Sequence, residues 1–302
     1  GSWTGRRCFC SPLTPDRMLR IALPNKGRLS EDARDLFTDA GLEAKGKGDR
    51  ALTASLGGEF EAIFVRAADI PEFVADGAAQ AGITGVDLVN ESGRQVEELL
   101  DLEFGCCRLV VAVRDDGRIK SLADLQGRPR VATVFPRITA DFFARAEIPV
   151  EIVPVSGAAE IAPHLGIADI VVDLTETGST LKVNGLVEIA TVLQSSARMI
   201  TIVPQGDPRR TQLNELVDAL SSVLRARSRR YLMANVPRAR LAEVQAILPG
   251  INGPTVIDIM DHGEMVAVHA VVSAATIYRT IGQLKQLGGQ GILVTRIERL
   301  MP

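Results

Sequence analysis

Residues 158–174, AAEIAPHLGIADIVVDL, decide the predicted fold because they echo residues 68–88, ADIPEFVADGAAQAGITGVDL. In both stretches a short helix is predicted to lead through a turn of small residues into an apolar strand. The strand is predicted to end at Asp87 in the first stretch and at Asp173 in the second. This repeat predicts two similar α/β lobes that face each other across a cleft, which is where small molecules usually bind.

The segments around the repeat predict the same architecture. IALPNKG at residues 21–27 and RVATVFP at 130–136 each predict a strand that runs into a loop and then a helix. Two further apolar stretches, CRLVVAVRD at 107–115 and ARMITIVPQ at 197–205, bracket the second lobe and are predicted to cross between the lobes. Two lobes with paired crossovers resemble the architecture of periplasmic binding proteins.

The pattern changes near Arg229, where the predicted elements follow the order βαββαβ, which is typical of a ferredoxin-like domain. The predicted fold class is therefore α/β, with two periplasmic-binding-protein-like lobes that form a cleft and a C-terminal ferredoxin-like βαββαβ domain. The first residues begin with Gly-Ser and show no periodicity before Met18, which predicts a tag or upstream extension. The predicted segments are 1–17 (extension), 18–108 and 196–228 (lobe I), 109–195 (lobe II) and 229–302 (C-terminal domain).

Composition argues against several function classes. The chain has 302 residues, a net charge of −3 and only 4% aromatic residues, so neither a basic surface nor a stacking platform for nucleic acid is predicted. Its apolar runs are shorter than the ~20 residues that a membrane helix needs, so no membrane partner is expected. The cysteine spacing fits neither a zinc site nor a disulfide framework, and a cytoplasmic protein is expected.

The segment DIVVDLTETGST, from Asp169 to Thr180, is the strongest indication of chemistry. Gly178 would let the backbone approach a phosphate, and the surrounding hydroxyls and amides suit an anion. Asp169 and Asp173 are spaced for ribose hydroxyls or for Mg²⁺ bound to a pyrophosphate. A plain strand–turn–helix link with N-caps explains the pattern equally well. The candidate residues of this segment are Asp169, Asp173, Glu176, Thr177, Gly178, Ser179 and Thr180.

A second candidate is the loop at Lys26, Gly27 and Arg28, which follows the first predicted strand. Ligands often bind at the carboxyl end of such a strand, and two cations beside a glycine suit a polyphosphate. Taken alone, the loop is more simply explained as a solvated basic turn. Arg137 occupies the corresponding place in the second lobe, as a phosphate ligand or as a surface arginine.

Further candidates follow other predicted strands. Asp87, next to Leu88, suits an adenine amino group or a ribose hydroxyl, and suits a helix N-cap equally well. Glu160 begins a short helix opposite the threonine-rich segment, where it would orient a ribose or merely favour the helix dipole. Arg66 follows an apolar strand. The sequence contains no Ser–His–Asp or Cys–His pattern for a covalent nucleophile.

Together these residues resemble the long form of the ATP phosphoribosyltransferase family, and the likeness runs from Met18 to Pro302. The markers are RIALPNKGRLSED, VRAADIPEFV, AGITGVDL, GCCRLVVAV, GAAEIAPHLGIADIVVDLTETGSTLKVNGL, YLMANVP, LPGINGPT and VAVHAVVS. The resemblance implies that adenine N1 of ATP displaces pyrophosphate from C1 of phosphoribosyl pyrophosphate, with Mg²⁺ present, in the first step of histidine biosynthesis. It also implies feedback inhibition by histidine at the C-terminal domain, and dimers that assemble into hexamers.

The resemblance implies a role for each candidate. The catalytic residues would be Asp173, Lys26 and Arg28. Phosphoribosyl pyrophosphate would be held by Asp169, Asp173, Glu176, Thr177, Gly178, Ser179, Thr180 and Glu160. ATP would be held by Lys26, Gly27, Arg28, Arg66, Asp87, Leu88 and Arg137. Histidine would bind Asn235, Ile251, Thr255 and Ser273, although ordinary strand-end and loop packing explains these four more simply. Mg²⁺ would bind mainly through substrate phosphates.

The sequence departs from the family pattern in three places. Many relatives carry acidic residues after the arginine at Arg66, where Ala67 and Ala68 stand here. Phe135 stands where a tyrosine is common, which removes a phenolic hydrogen bond. Asn235 stands where some relatives have aspartate, and this predicts weaker binding of the histidine amino group.

Three other functions fit parts of the pattern. A solute-binding protein would share the two lobes, but residues 1–17 do not resemble a secretion signal and a ferredoxin-like tail is unusual in that class. Another phosphoribosyltransferase would share the sugar donor and differ in its acceptor base. A regulatory subunit with a decayed site would have little reason to keep the threonine-rich segment.

Overall fold

The computed structural model describes residues 18–45, 52–260 and 263–301. Its strands are β1 (Leu19–Pro24), β2 (Ala44–Lys45), β3 (Thr53–Leu56), β4 (Phe60–Val65), β5 (Ala81–Gly85), β6 (Glu97–Asp101), β7 (Cys107–Arg114), β8 (Arg130–Thr133), β9 (Glu151–Pro154), β10 (Ile170–Thr175), β11 (Leu186–Ser195), β12 (Ala197–Thr201), β13 (Arg229–Pro237), β14 (Thr255–Asp258), β15 (Met265–Ser273) and β16 (Gln290–Arg296). Its α-helices are α1 (Ser30–Asp39), α2 (Ile70–Ala75), α3 (Val86–Ser92), α4 (Pro136–Arg145), α5 (Ser179–Val183), α6 (Pro208–Arg227), α7 (Leu241–Ile247) and α8 (Ile277–Gln286). None of these helices is long and apolar enough to cross a membrane. The predicted extension at 1–17 lies outside the described residues.

Lobe I is built on a seven-stranded sheet in the order β2-β3-β4-β1-β5-β12-β6. Strand β1 lies between its parallel neighbours β4 and β5, and Ile21, Ala22 and Leu23 are fully buried because helices cover both faces of the sheet. Leu36 of α1 and Leu216 of α6 belong to the same core cluster. The carboxyl ends of β1, β4 and β5 therefore open onto one edge of this lobe.

Lobe II is built on a five-stranded sheet in the order β11-β7-β10-β8-β9. Strand β8 is parallel to β9 and β10, whereas β7 runs antiparallel to β10 and β11. Every residue from Leu109 to Val113 is buried, as expected for a strand with neighbours on both sides and covered faces. The α/β prediction with two lobes is confirmed.

The predicted crossover strands do not cross between the lobes. Strand β7 lies wholly in the sheet of lobe II, and β12 lies wholly in the sheet of lobe I. The chain instead passes between the sheets in the short segments 102–106 and 196. The prediction was wrong here because an apolar pattern indicates a buried strand but does not indicate which sheet the strand joins.

The C-terminal sheet has the order β14-β15-β13-β16, and each pair of neighbours is antiparallel. Helices α7 and α8 pack on one face, where Leu232, Val236 and Val268 are fully buried. The element order βαββαβ confirms the ferredoxin-like prediction. Helix α6 leads from lobe I directly into β13.

One prediction from the repeat needs correction. The repeat holds in element order but not in detail, because Asp173 lies inside β10 whereas Asp87 is the second residue of α3. Helix α1 begins at Ser30 without a side-chain cap, and Gly41 follows its C-cap with a φ of +78°, a conformation that favours glycine.

Candidate active site

The threonine-rich segment forms a loop between β10 and α5. Gly178 has a φ of +77° and precedes the first residue of α5, and its N–H donates to Thr175 Oγ1 at 2.8 Å. The Thr177 and Ser179 hydroxyl oxygens are 2.9 Å apart, and both side chains are exposed. The left-handed backbone at Gly178, with these hydroxyls and the first amides of α5, is an arrangement of donors suited to an anion.

Asp173 lies in β10, two residues before the end of the strand, and is half-buried. Burial raises the pKa of its carboxyl group, and the nearby negative charge of Glu160 raises the pKa further. A hydrogen bond from the Leu174 backbone N–H, at 2.7 Å from Asp173 Oδ1, acts in the opposite direction. The structure thus brings two carboxylates, Asp173 and Glu160, close together beside the threonine-rich loop.

Asp169 does not join this group. It lies at the opposite end of β10, where its Oδ2 accepts the Arg130 backbone N–H at 2.9 Å and its Oδ1 is 3.5 Å from the Arg130 guanidinium. The hydrogen bond from the Arg130 backbone is the main cause that lowers the pKa of Asp169. Asp169 and Asp173 are four positions apart, which corresponds to about 13 Å along an extended strand. Asp169 therefore stabilises the pairing of β10 with β8 through its contacts with Arg130.

In lobe I, the basic loop lies at the carboxyl end of β1. The Asn25 N–H donates to the Val65 carbonyl at 2.8 Å, which holds the loop beside the end of β4 and therefore beside Arg66. Lys26 is exposed and has no hydrogen-bond or ion-pair partner among the described residues. Gly27 has a φ of +85°, so the turn that presents Lys26 favours glycine.

Arg66 already has an acidic neighbour. Its guanidinium pairs with Asp69 at 2.8 Å, and this hydrogen bond raises the pKa of Arg66. Ala67 and Ala68 form the turn that brings Asp69 back to Arg66. Asp69 therefore provides a negative charge close to the arginine.

Arg28 and Asp87 lie at the crossovers between the lobes. Asp87 is only 1% exposed; its Oδ1 accepts the Ser195 hydroxyl at 2.6 Å, and its Oδ2 lies 3.8 Å from the Arg28 guanidinium. Arg28 also donates to the Gly105 carbonyl on the other crossover. Both side chains are therefore held by protein partners rather than extending freely into the cleft. Sequence reasoning missed Ser195, the last residue of β11, because its partner is distant in sequence.

Leu88 and Arg137 also lie where the lobes meet. Leu88, on α3 of lobe I, packs against the hydrophobic core of lobe II. The Arg137 guanidinium lies against Gly93, which ends α3, while the Arg137 backbone N–H donates to Glu91 at 3.0 Å. Because α3 follows β5 and α4 follows β8, these contacts bring the carboxyl ends of both sheets to the same cleft.

The four predicted histidine ligands are spread over the C-terminal domain. Asn235, Thr255 and Ser273 share the face of the sheet that α7 and α8 leave uncovered, as the strand register requires. Asn235 pairs with Ala267, six residues from Ser273, so these two side chains are about 20 Å apart along β15. Ile251 lies in the exposed loop before β14. Within one chain the four do not form a single pocket.

The sequence matches two models of known protein families. The ATP phosphoribosyltransferase family model matches residues 66–222, and the model described as "HisG, C-terminal domain" matches residues 226–299. The chain belongs to the ATP phosphoribosyltransferase family. Because it matches the C-terminal domain as well, it has the long form of this family.

Individual members of the ATP phosphoribosyltransferase family match over nearly the whole chain. The protein of that name from Gemmatimonas aurantiaca is 70% identical and the one from Methanosarcina barkeri is 44% identical; each match covers 94% of this chain and 100% of the relative. A solved structure, the ATP phosphoribosyl transferase (HisG:HisZ) complex from Thermotoga maritima, matches with a TM-score of 0.62 and 26% identity, over 69% of this chain and 99% of that chain.

In this member of the ATP phosphoribosyltransferase family, the carboxylates near the threonine-rich loop would bind Mg²⁺ only if substrate oxygens completed the set of ligands. The described residues contain no group of three His, Cys, Asp or Glu side chains that could hold a metal. Asp173 and Glu160 are the pair beside the threonine-rich loop. Mg²⁺ typically keeps several waters and binds through one or two carboxylates plus substrate phosphates, so this pair fits the ion.

Proposed function

We propose that this chain is an ATP phosphoribosyltransferase that joins ATP to phosphoribosyl pyrophosphate. Adenine N1 attacks C1 of the ribose, the N1–C1 bond forms, and pyrophosphate leaves with the electron pair of the broken C1–O bond. The observation that carries the proposal is the anion-binding loop at Gly178 beside the half-buried Asp173. Membership of the ATP phosphoribosyltransferase family supports ATP and a phosphoribosyl donor as the substrates.

The threonine-rich loop would hold the 5-phosphate of the donor. Thr177, Ser179 and Thr180 supply hydroxyls, Gly178 supplies the left-handed turn, and the start of α5 supplies amides. Asp173 and Glu160 would orient the ribose hydroxyls, and Glu176, exposed at the tip of the loop, would border the same site. Asp173 would also stabilise the positive charge that develops on the ribose as pyrophosphate departs.

The cations of lobe I would face the leaving group. Lys26, in the loop after β1, has an ammonium group without a partner in the described part of the chain, and Arg66 lies beside it on the loop after β4. Both would bind pyrophosphate and ATP phosphates, with Gly27 shaping the turn. Mg²⁺, when bound by substrate oxygens with Asp173 and Glu160, would neutralise the charge that develops on pyrophosphate.

The residues at the lobe junction would define the nucleotide side of the cleft. Arg28, Asp87 and Leu88 make contacts between the lobes, and Arg137 lies against α3. Their part in ATP binding would be to shape the cleft where the nucleotide enters. Arg28 would add positive charge there.

An acceptor comparison tests the proposed function. The full chain, Mg²⁺ and phosphoribosyl pyrophosphate are incubated with pyrophosphatase and with ATP, adenine, guanine or orotate, and product is followed by ultraviolet absorbance. We expect product when ATP is the acceptor and none when adenine, guanine or orotate is the acceptor. Product with a free base instead would indicate a different phosphoribosyltransferase, and tight donor binding without any product would favour the solute-binding function.

We further propose that histidine inhibits the enzyme by binding to the uncovered face of the C-terminal sheet. Asn235 is exposed on this face, and Thr255 lies on the same face across the ladder from His269. Histidine presents a cationic amino group and a carboxylate, which suit the amide and hydroxyl groups there. Ile251 and Ser273 would border the site only where a second copy brings them to Asn235, since Ser273 of the same chain lies about 20 Å away along β15.

Asn235→Asp is expected to strengthen histidine inhibition. A carboxylate makes a charge-assisted hydrogen bond to the amino group of histidine, roughly twice as strong as that of an amide, so we expect the half-inhibiting concentration to fall about tenfold. Turnover without histidine should not change. Gln286→Glu adds the same charge at an exposed position of α8 and serves as the control. Equal inhibition of Asn235→Asp and wild type would remove Asn235 from the site.

A direct connection would carry the inhibition from the C-terminal domain to lobe I. Arg299 donates to the carbonyl of Ala40 at the end of α1, and the Leu300 N–H donates to the Ser222 carbonyl on α6 at 2.9 Å. Arg227 pairs with Asp39 at 3.0 Å in the same place. Helix α1 starts just after the basic loop, so a displacement of its far end by the C-terminal domain would reach Lys26.

Arg299→Ala is expected to uncouple inhibition from histidine binding. Allosteric couplings are typically worth 5–150-fold, and we expect at least a fivefold rise in the half-inhibiting histidine concentration, with turnover retained in its absence. Arg240→Ala, which removes an ion pair to Glu243 inside the C-terminal domain, is the matched control. Enzyme assays across a histidine titration measure both. Inhibition of Arg299→Ala at the wild-type concentration would contradict this route.

The uncovered face also supports a homo-oligomer. Leu293 is 62% exposed and Ile257 is 47% exposed on the same face as Asn235, and a second copy that covers them would bury apolar surface. We propose dimers that assemble further into hexamers. Because ATP and phosphoribosyl pyrophosphate are intracellular metabolites, we place the reaction in the cytoplasm.

A further inference from the structure

Helix α3 of lobe I presents one face to lobe II. Asp87, Leu88 and Glu91 lie on this face because residues three and four apart are neighbours on a helix. Asp87 contacts Ser195 at the end of β11, and Leu88 packs into the core of lobe II. Glu91 makes the third contact, and neither the motifs of the sequence nor the family likeness assigns it any role.

Glu91 caps a helix of the opposite lobe. Its Oε1 accepts the backbone N–H of Arg137 at 3.0 Å, and its Oε2 accepts the backbone N–H of Ile138 at 3.0 Å. Helix α4 has no side-chain cap of its own, since Phe135 precedes it and Pro136 is its first residue. A helix leaves its first N–H groups without intrahelical partners, and a carboxylate there is favoured by the helix dipole as well.

The contact is reciprocal. The Arg137 guanidinium lies against Gly93, the left-handed residue at which α3 ends, so a cation meets the negative end of α3. A groove of ≈ 640 Å³, partly lined by Gly93 and Arg137, lies beside the contact.

We infer that Glu91 is a positioning residue for phosphoribosyl transfer, because its cap on α4 fixes the angle between the two lobes; this rests on the proposed function. The donor loop at Gly178 belongs to lobe II, and the cation Lys26 belongs to lobe I. Each lobe can hold its own part of the substrates without the cap. Transfer requires the two parts to be aligned, and a misplacement of 1 Å can cost about 10²-fold in rate.

If Glu91 has this role, its substitution should lower kcat and leave the KM for phosphoribosyl pyrophosphate nearly unchanged. In Glu91→Gln, one oxygen still accepts an N–H, but the amide NH₂ faces the second N–H and the charge is lost. We expect kcat to fall at least tenfold, while the KM for phosphoribosyl pyrophosphate stays within twofold, since the donor loop itself is untouched. Glu61→Gln is the matched control, because Glu61 pairs with Arg20 inside lobe I.

Hydrogen–deuterium exchange of the full chain gives the second measurement. The amides of Arg137 and Ile138 should exchange faster in Glu91→Gln than in wild type or Glu61→Gln, with peptides of β10 unchanged. Unchanged exchange at these amides would overturn the contact, and faster exchange with wild-type kcat would overturn the positioning role. Glu91→Asp, which keeps the charge but is one methylene shorter, gives a milder test with the same readouts if Glu91→Gln fails to fold.

The experiments distinguish a failure of the role of Glu91 from a failure of the proposed function. Wild-type protein that makes no product from ATP and phosphoribosyl pyrophosphate would reject the proposed function. Active wild-type protein with an equally active Glu91→Gln variant would reject only the role of Glu91.

Discussion

Asp173→Asn is expected to lose nearly all turnover and to gain thermal stability near neutral pH. The amide keeps the size of the side chain and the hydrogen bond from the Leu174 N–H. It removes the negative charge that would stabilise the developing charge on the ribose, and loss of one such electrostatic contact typically costs 10²–10³-fold in kcat. We therefore expect a fall of about 10²–10³-fold, measured in single-turnover assays with saturating substrates.

The gain in stability follows from the direction of the pKa shift. Burial raises the pKa of Asp173 above the ordinary aspartate value of 3.8, so folding favours the protonated form. The favourable contribution of this group is fully present below pH 3.8 and is lost as pH rises through the raised pKa of the folded state. At neutral pH the buried charge opposes folding, and the amide relieves that cost.

Thermal unfolding across a pH series measures this effect. The Tm of Asp173→Asn should exceed that of wild type at pH 7, and the difference should shrink as the pH falls toward 3.8, the ordinary pKa of an aspartate. Asp169→Asn is the matched control on the same strand, because the pKa of Asp169 is lowered and its loss should decrease stability at pH 7. An Asp173→Asn variant that is less stable than wild type at pH 7 would contradict the account of its burial.

Lys26→Ala is expected to lose activity without losing stability. The ammonium group has no partner among the described residues, so its removal should change the free energy of unfolding by no more than about 0.5 kcal/mol. If it stabilises pyrophosphate as the C1–O bond breaks, kcat/KM should fall by about 10²–10³-fold. Lys26→Arg keeps the charge and should retain part of the activity.

Lys120→Ala is the control for this prediction, because it removes a lysine outside the candidate site. Steady-state kinetics with phosphoribosyl pyrophosphate as the varied substrate, together with urea unfolding, separate the two effects. Activity of Lys26→Ala within threefold of wild type would remove Lys26 from the site. A large loss of stability would show that the basic loop is structural.

The sequence was sufficient for features that depend on local pattern. The strand before the threonine-rich loop and the βαββαβ order of the C-terminal domain both follow from hydrophobic periodicity and turn chemistry. Strand β11 was missed because Glu188, Thr191 and Gln194 interrupt its apolar pattern.

Features that depend on distant contacts could not be predicted in this way. Asp169 and Asp173 point to the same face of a strand, since they are four residues apart, and this led to their grouping. The structure separates them by the length of the strand and pairs Asp169 with Arg130. The capping of α4 by Glu91 and the bond from Ser195 to Asp87 join residues 46 to 108 positions apart, and no local pattern indicates them.

The most direct test of the central claim is a ³¹P NMR experiment on the full chain with ATP, phosphoribosyl pyrophosphate and Mg²⁺. We predict that phosphoribosyl-ATP and pyrophosphate form in equal amounts, that neither forms when ATP is omitted, and that Asp173→Asn forms neither at a comparable rate. Folded wild-type protein that binds phosphoribosyl pyrophosphate but yields no phosphoribosyl-ATP would contradict the account.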